Sequence, residues 1–177
     1  MSEAEVTLDR ILSARREAAP EVVPVDEPMV KLVVFELRGE VFAFSAEGIR
    51  EILSGVAVYF LPGCPAFLEG VIDVRGDIES VIGLDGVLGL SASEAAPPAS
   101  YQPTVILLGR AGGIGSGIRV DRVLDVCDLP QSALQPSPQV LADPVRRFAL
   151  GVLSYRGRPA TLLDLGRLLE DCARGSD

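Results

Sequence analysis

The chain has 177 residues, 48% hydrophobic and 23% charged, a composition that buries a core without help from disulfides or metals. Its formal net charge of −9 and its pI near 4.6 argue against phosphate backbones and anionic membrane surfaces as partners. Histidine is absent, which excludes histidine-based triads, His-ligated zinc and a histidine phosphoacceptor.

The N-terminus opens on MSEAEVTLDR, with alternating acids and no apolar segment of signal-peptide length. No run of about 18 apolar residues occurs anywhere, so direct membrane insertion is not expected. Cys64, Cys127 and Cys172 are far apart and form no CxxC pair, which reads as reduced thiols in a cytoplasmic protein. Leu8, Ile11 and Leu12 fall at i, i+3 and i+4, predicting a helix over 3–18. Pro20, Pro24 and Pro28 then favour an extended linker. Residues 1–28 are therefore expected to be dispensable for folding, with the folded body starting near Met29.

From there the chain reads as short strands. VKLVVFEL and EVFAFSA flank Arg38-Gly39 as a β-hairpin. Ile49–Ile52 follows, then a turn region around Leu61–Pro65, then GVIDVRGDIESVIGL as two strands around Arg75-Gly76. LDGVLGL, residues 84–90, suits a short helix, and the small, proline-rich stretch 91–103 is the best internal boundary. TVILLG and GIRVDRV make another hairpin around AGGIGS. The chain closes on the hairpin LGVLSYRGRPATLLDL and a helix-like GRLLEDCA.

The two halves repeat each other. Aligning residue 49 with residue 123 sets Ile49-Arg50-Glu51-Ile52 on Val123-Leu124-Asp125-Val126, and Pro62 on Pro136. After a longer second-half loop around 139–148, Gly70-Val71 meets Gly151-Val152 and Arg75-Gly76 meets Arg156-Gly157. Two similar β-units follow from this. Short, evenly spaced strands with turn signals between them suggest barrels, whose closure hides strand edges.

Nearly the whole body resembles the CheW domain. The first hairpin followed by Ile49-x-Glu51-Ile52 is similar to that family's early signature, and Pro62, Pro65-Ala66-Phe67 and Gly70-Val71-Ile72 follow at its spacing. Asp73-Val74-Arg75-Gly76 resembles its central Asn-Leu-Arg-Gly turn; Gly117–Asp121 and Leu163-Asp164-Leu165 resemble later motifs. Three positions depart from the pattern: Ser80 stands for the usual proline, Gly83 for aspartate and Asp73 for asparagine. The resemblance implies an all-β fold of two SH3-like five-stranded barrels packed side by side, with short helices. We assign the domain to 29–170, its barrels to about 29–91 and 102–170, and a tail to 171–177.

The resemblance also implies a non-enzymatic adaptor with no cofactor or metal. Its partners would be the regulatory domain of a CheA-type histidine kinase and the cytoplasmic tip of methyl-accepting chemoreceptors, a helical hairpin lying along the groove between the barrels. Such a protein is cytoplasmic and recruited to receptor arrays. The groove residues expected are Ile49, Glu51, Val74 and Arg75, with Ile49 the exposed isoleucine and Ile52 in the core. Gly70, Gly76, Arg156 and Gly157 are expected at structural turns. Two other functions are weighed. One is a divergent competitor that binds kinase or receptor without coupling them, motivated by Ser80 and Gly83. The other is a nucleotide-binding enzyme built on Gly112–Gly117, which lacks the lysine of a P-loop and reads instead as a hairpin turn.

Overall fold

Among the described residues, ten strands form two five-stranded sheets, each curled into an SH3-like barrel. The computed structural model describes residues 26–90 and 103–175, so the N-terminal helix, most of the proline-spaced segment and residues 91–102 lie outside it. The strands are β1 (Met29–Leu37), β2 (Glu40–Ser45), β3 (Ile49–Ser54), β4 (Leu68–Val74) and β5 (Asp77–Gly83) in the first half. In the second half they are β6 (Val105–Ala111), β7 (Ile114–Val120), β8 (Arg122–Pro130), β9 (Ala149–Tyr155) and β10 (Arg158–Leu163). Short helices α1 (Leu84–Val87) and α2 (Asp143–Phe148) and the longer α3 (Leu165–Arg174) complete the fold.

The sheets do not follow the halves. Their strand orders are β8-β1-β2-β10-β9 and β3-β6-β7-β5-β4. The first hairpin of each half is thus built into the barrel of the other half, which corrects the division at 29–91 and 102–170. The reason is burial. An exchanged hairpin sits mid-sheet with both faces covered, and strands covered on both faces read as continuous apolar runs such as VKLVVFEL. Alternate residues serve two cores. Leu32, Val34, Val41 and Ala43 fill the first barrel, while Val33, Phe35, Phe42 and Phe44 join a core between the barrels. Ile72, Val81, Ile106 and Leu108 fill the second barrel.

The repeat is nonetheless real, and strand register shows it. Leu32 faces Ser45 in one hairpin as Ile106 faces Arg119 in the other. The bulge between Ile49 and Glu51 recurs between Val123 and Asp125, and that between Leu68 and Gly70 recurs between Ala149 and Gly151. Bulges re-aim a strand, so their recurrence means that both barrels bend at the same points.

Three boundaries differ from the sequence reading. Gly70 lies inside β4, not on a turn. A Cβ there would stand 2.2 Å from the Tyr59 carbonyl oxygen, and one at Gly151 would stand 2.5 Å from that of Gln135. The loop around 139–148 contains α2, started by Pro144 near its N-terminus. The supposed tail belongs to α3, which runs to Arg174 with Cys172 in the central core. Gly70→Ala and Gly151→Ala are each expected to cost about 2–4 kcal/mol, because backbone, not a flexible side chain, blocks the methyl group. Urea denaturation checks this, and an unchanged midpoint would show that the crossing segments yield freely.

Candidate functional site

The hairpin turns place the arginines. Arg38 (φ 52°), Arg75 (φ 55°) and Arg156 (φ 48°) are left-handed and each precedes a left-handed glycine. Two consecutive positive φ values make the tight turn that matches strand twist. Asp73 supports the Arg75-Gly76 turn, its Oδ1 accepting from the Gly76 amide at 2.7 Å. An aspartate therefore supplies the side-chain acceptor that an asparagine would, which accounts for the first departure.

Arg75 and Glu51 form an ion pair, with Arg75 Nη2 2.7 Å from Glu51 Oε1. Glu51 lies on β3 and Arg75 beyond β4, at opposite ends of one sheet, so the pair spans the seam of the second barrel. The arginine side chain is 77% exposed. The duplicated pair, Arg156 to Asp125, is longer at 3.5 Å. There Arg156 lies over the Tyr155 ring at 5.2 Å, and the Tyr155 hydroxyl donates to Asp125 at 3.2 Å. Val74 holds the place of Tyr155, so nothing equivalent covers Arg75. The two arginines are similarly exposed and differ in the length of the ion pair and in this aromatic contact.

The isoleucines are reversed relative to expectation. Ile49 is half-buried against the central core, and Ile52 is 40% exposed. The bulge at Arg50 puts both on one face of the sheet, Ile49 opposite Gly109 and Ile52 opposite Leu107, and Ile52 is the one left uncovered on this edge strand. Ile52 faces Leu107, a central-core residue, so it lies on the inter-barrel face at the sheet edge. Ile78 shares that face of β5 with Ser80 and the core residue Ile82, and is 67% exposed. Val74 points the other way, half-buried against the second barrel's interior. Ile52 and Ile78 are thus exposed apolar residues on the inter-barrel face, while Ile49 and Val74 are half-buried.

A second surface escaped the sequence reading. Tyr59, Phe60 and Leu61 are consecutive and 61%, 75% and 40% exposed. They cross the end of the second barrel, where Tyr59 bridges to Val71. The matching bridge in the first barrel is made by Gln135, followed by Pro136 and Ser137.

The other departures are compensated inside the fold. The Ser80 hydroxyl meets that of Ser116 at 2.8 Å. A side chain at Gly83 would run into Glu69 Oε1 at 2.7 Å, and Glu69 itself reaches Arg119 at 2.7 Å. Asp164, in the duplicated position, caps α3 by accepting from the Arg167 amide at 3.0 Å. Gly112 and Gly113 form a two-residue turn between β6 and β7. Asp171 pairs with Arg147 and Glu170 with Arg174 at the surface. Among the described residues no group of three acidic or cysteine side chains could hold a metal ion, and no helix is long and apolar enough to cross a membrane. Burial pushes the Cys172 thiol up to about 11.

Comparison with known proteins places this geometry. The model of the CheW-like domain matches residues 31–173. The chemotaxis protein CheW of Rhizobium meliloti is 30% identical over 76% of this chain and 84% of its own. The chemotaxis protein CheW of Thermotoga maritima is 26% identical over 80% of this chain and 88% of its own. The crystal structure of the scaffolding protein TtCheW from Thermoanaerobacter tengcongensis shares the fold. Its TM-score is 0.67 at 24% identity, covering 81% of this chain and 94% of that one.

Proposed function

From the premise that this chain belongs to the CheW-like domain family, we propose that it joins a CheA-type histidine kinase to the cytoplasmic tip of methyl-accepting chemoreceptors. Its role is that of a coupling adaptor, and it makes and breaks no bonds. The observation that carries the partner assignment is the exposed Arg75, paired to Glu51 beside Ile52 and Ile78. A helical hairpin offers an apolar ridge flanked by carboxylates, and this surface offers the complement of both. The kinase regulatory domain is assigned to the barrel end bearing Tyr59, Phe60 and Leu61, since exposed aromatics anchor protein interfaces. In this reading the protein works in the cytoplasm and is carried to receptor arrays by its partners.

Coupling then is differential binding. A receptor state that fits the groove better shifts the adaptor, and with it the kinase, toward one arrangement. The reading that the chain is only a competitor was motivated by Ser80 and Gly83, and both are accommodated inside the fold, which favours the coupler. The test is sedimentation or size exclusion with receptor-tip and kinase regulatory fragments, singly and together. A ternary complex containing all three is expected. Two binary complexes that exclude each other would establish the competitor instead.

A further inference from the structure

The repeat supplies a filter: features the barrel needs should occur twice. Several ion pairs occur once, such as Arg119–Glu69 and Glu36–Arg158, each within one sheet; one cluster that occurs once joins elements of different sheets. Arg38, on the β1–β2 turn of the first sheet, reaches Asp85 on α1, which follows the last strand of the second sheet's first-half portion. Arg38 Nε donates to Asp85 Oδ2 at 3.0 Å, and its Nη2 contacts the same oxygen. The Arg38 amide donates to Asp121 Oδ2 at 2.6 Å, and Asp121 sits where the chain crosses from β7 in one sheet to β8 in the other. The Asp121 amide in turn donates to the Glu36 carbonyl at 3.1 Å. At the duplicated positions, Arg38 is matched by Gly112 and Asp85 by Gly166. The bulges, turns and seam ion pairs recur; this cluster does not.

Its chemistry is that of a firm contact. The side chains of Arg38 and Asp85 are only 31% and 21% exposed. Burial pushes the Asp85 carboxyl up, but the Arg38 hydrogen bond, the Gly86 amide and the charges of Arg38 and Arg119 together hold it below the usual range. A non-glycine residue held at positive φ is a cost that surrounding contacts must offset, and such positions cluster where geometry matters to function.

We propose that Arg38 and Asp85 are positioning residues, a one-sided latch that fixes the angle between the two barrels and so the spacing between the groove and the kinase-facing barrel end. This deepens the adaptor reading and rests on it. Neither residue contacts a partner; each acts by holding one barrel against the other at a place the repeat does not duplicate. Release of the latch leaves both barrels folded, because their interiors and the central core do not include it.

The experiment compares the full chain with Arg38→Met, Asp85→Asn and the conservative Asp85→Glu. Arg122→Met serves as control, since Arg122 pairs with Glu36 within the first sheet. Residual dipolar couplings report the relative orientation of the two sheets. Binding to receptor-tip and kinase fragments is measured singly and together. Arg38→Met and Asp85→Asn are expected to change the inter-sheet orientation. They should keep each binary affinity within about twofold and weaken kinase binding to the receptor-loaded protein at least fivefold. Asp85→Glu is expected to recover most of the loss, and Arg122→Met to lose nothing. An unchanged orientation in both latch variants overturns the proposal, as does an altered orientation with full joint binding. If Arg38→Met does not fold, Asp85→Asn decides alone. If the parent forms no ternary complex, the adaptor reading fails, while the couplings still decide whether the latch sets the angle.

Discussion

Arg75→Glu is expected to weaken binding to a receptor-tip fragment about 100-fold while leaving the melting temperature within a few degrees. The two halves of that expectation have separate causes. The side chain is 77% exposed, so its ion pair with Glu51 contributes at most about 1 kcal/mol to folding. The left-handed backbone at the position is strained for any residue but glycine, so glutamate changes little there. At an interface, in contrast, reversal sets two carboxylates against each other and removes the donor for a third, an effect of several kcal/mol; about 2.7 kcal/mol already makes 100-fold. Arg156→Glu is the matched control, with the same turn, the same charge change and similar exposure at 75%. Binding unchanged in Arg75→Glu would place the receptor surface elsewhere. Equal loss in both variants would mean that both barrels carry it.

Phe35→Ala is expected to destabilise the protein by about 3–5 kcal/mol, the range for truncating a fully buried aromatic. Phe35 has no exposed surface and stacks on Phe44 at 5.2 Å and Phe42 at 6.1 Å between ring centres. It sits on an exchanged hairpin, so the cavity opens in the core shared by both barrels rather than inside one. The two sheets should therefore melt together, in one transition shifted downward by roughly 10 °C for a chain of this size. Calorimetry with intrinsic tyrosine fluorescence checks both points. With Tyr101 replaced by phenylalanine and one of the other two tyrosines retained at a time, Tyr155 reports on the first barrel and Tyr59 on the second, so separate transitions for the two would show that the barrels are independent units after all.

Much of the site was legible because it rests on local chemistry. Arg75-Gly76 and Arg156-Gly157 announce turns by residue type, and a turn presents its arginine to solvent whatever the rest of the chain does. Glu51 and Arg75 were both expected at the groove, but their contact with each other comes from the structure. The exposure of Ile52 was not legible either. It depends on the residue's place on an edge strand with nothing packed over it, which hydrophobic periodicity does not record. Tyr59-Phe60-Leu61 looked like any apolar run flanked by proline; only its position across a barrel end leaves it uncovered.

The same division holds for the fold. The sequence by itself determined the strands, the four hairpin turns among the described residues, the internal repeat and the all-β class. Each of these follows from the alternation of side chains along a strand and from the conformations that glycine and its neighbour adopt. Tertiary structure alone decided which strand pairs with which. A hairpin such as β1–β2 satisfies its own hydrogen bonds in either barrel, and the duplicated halves offer it two nearly equivalent sites. The choice was made by burial of the large face, Val33, Phe35, Phe42 and Phe44, in a core between the barrels, while the small face, Val34, Val41 and Ala43, fills the interior of one of them. That preference sums contacts between residues far apart in sequence, which no local pattern records.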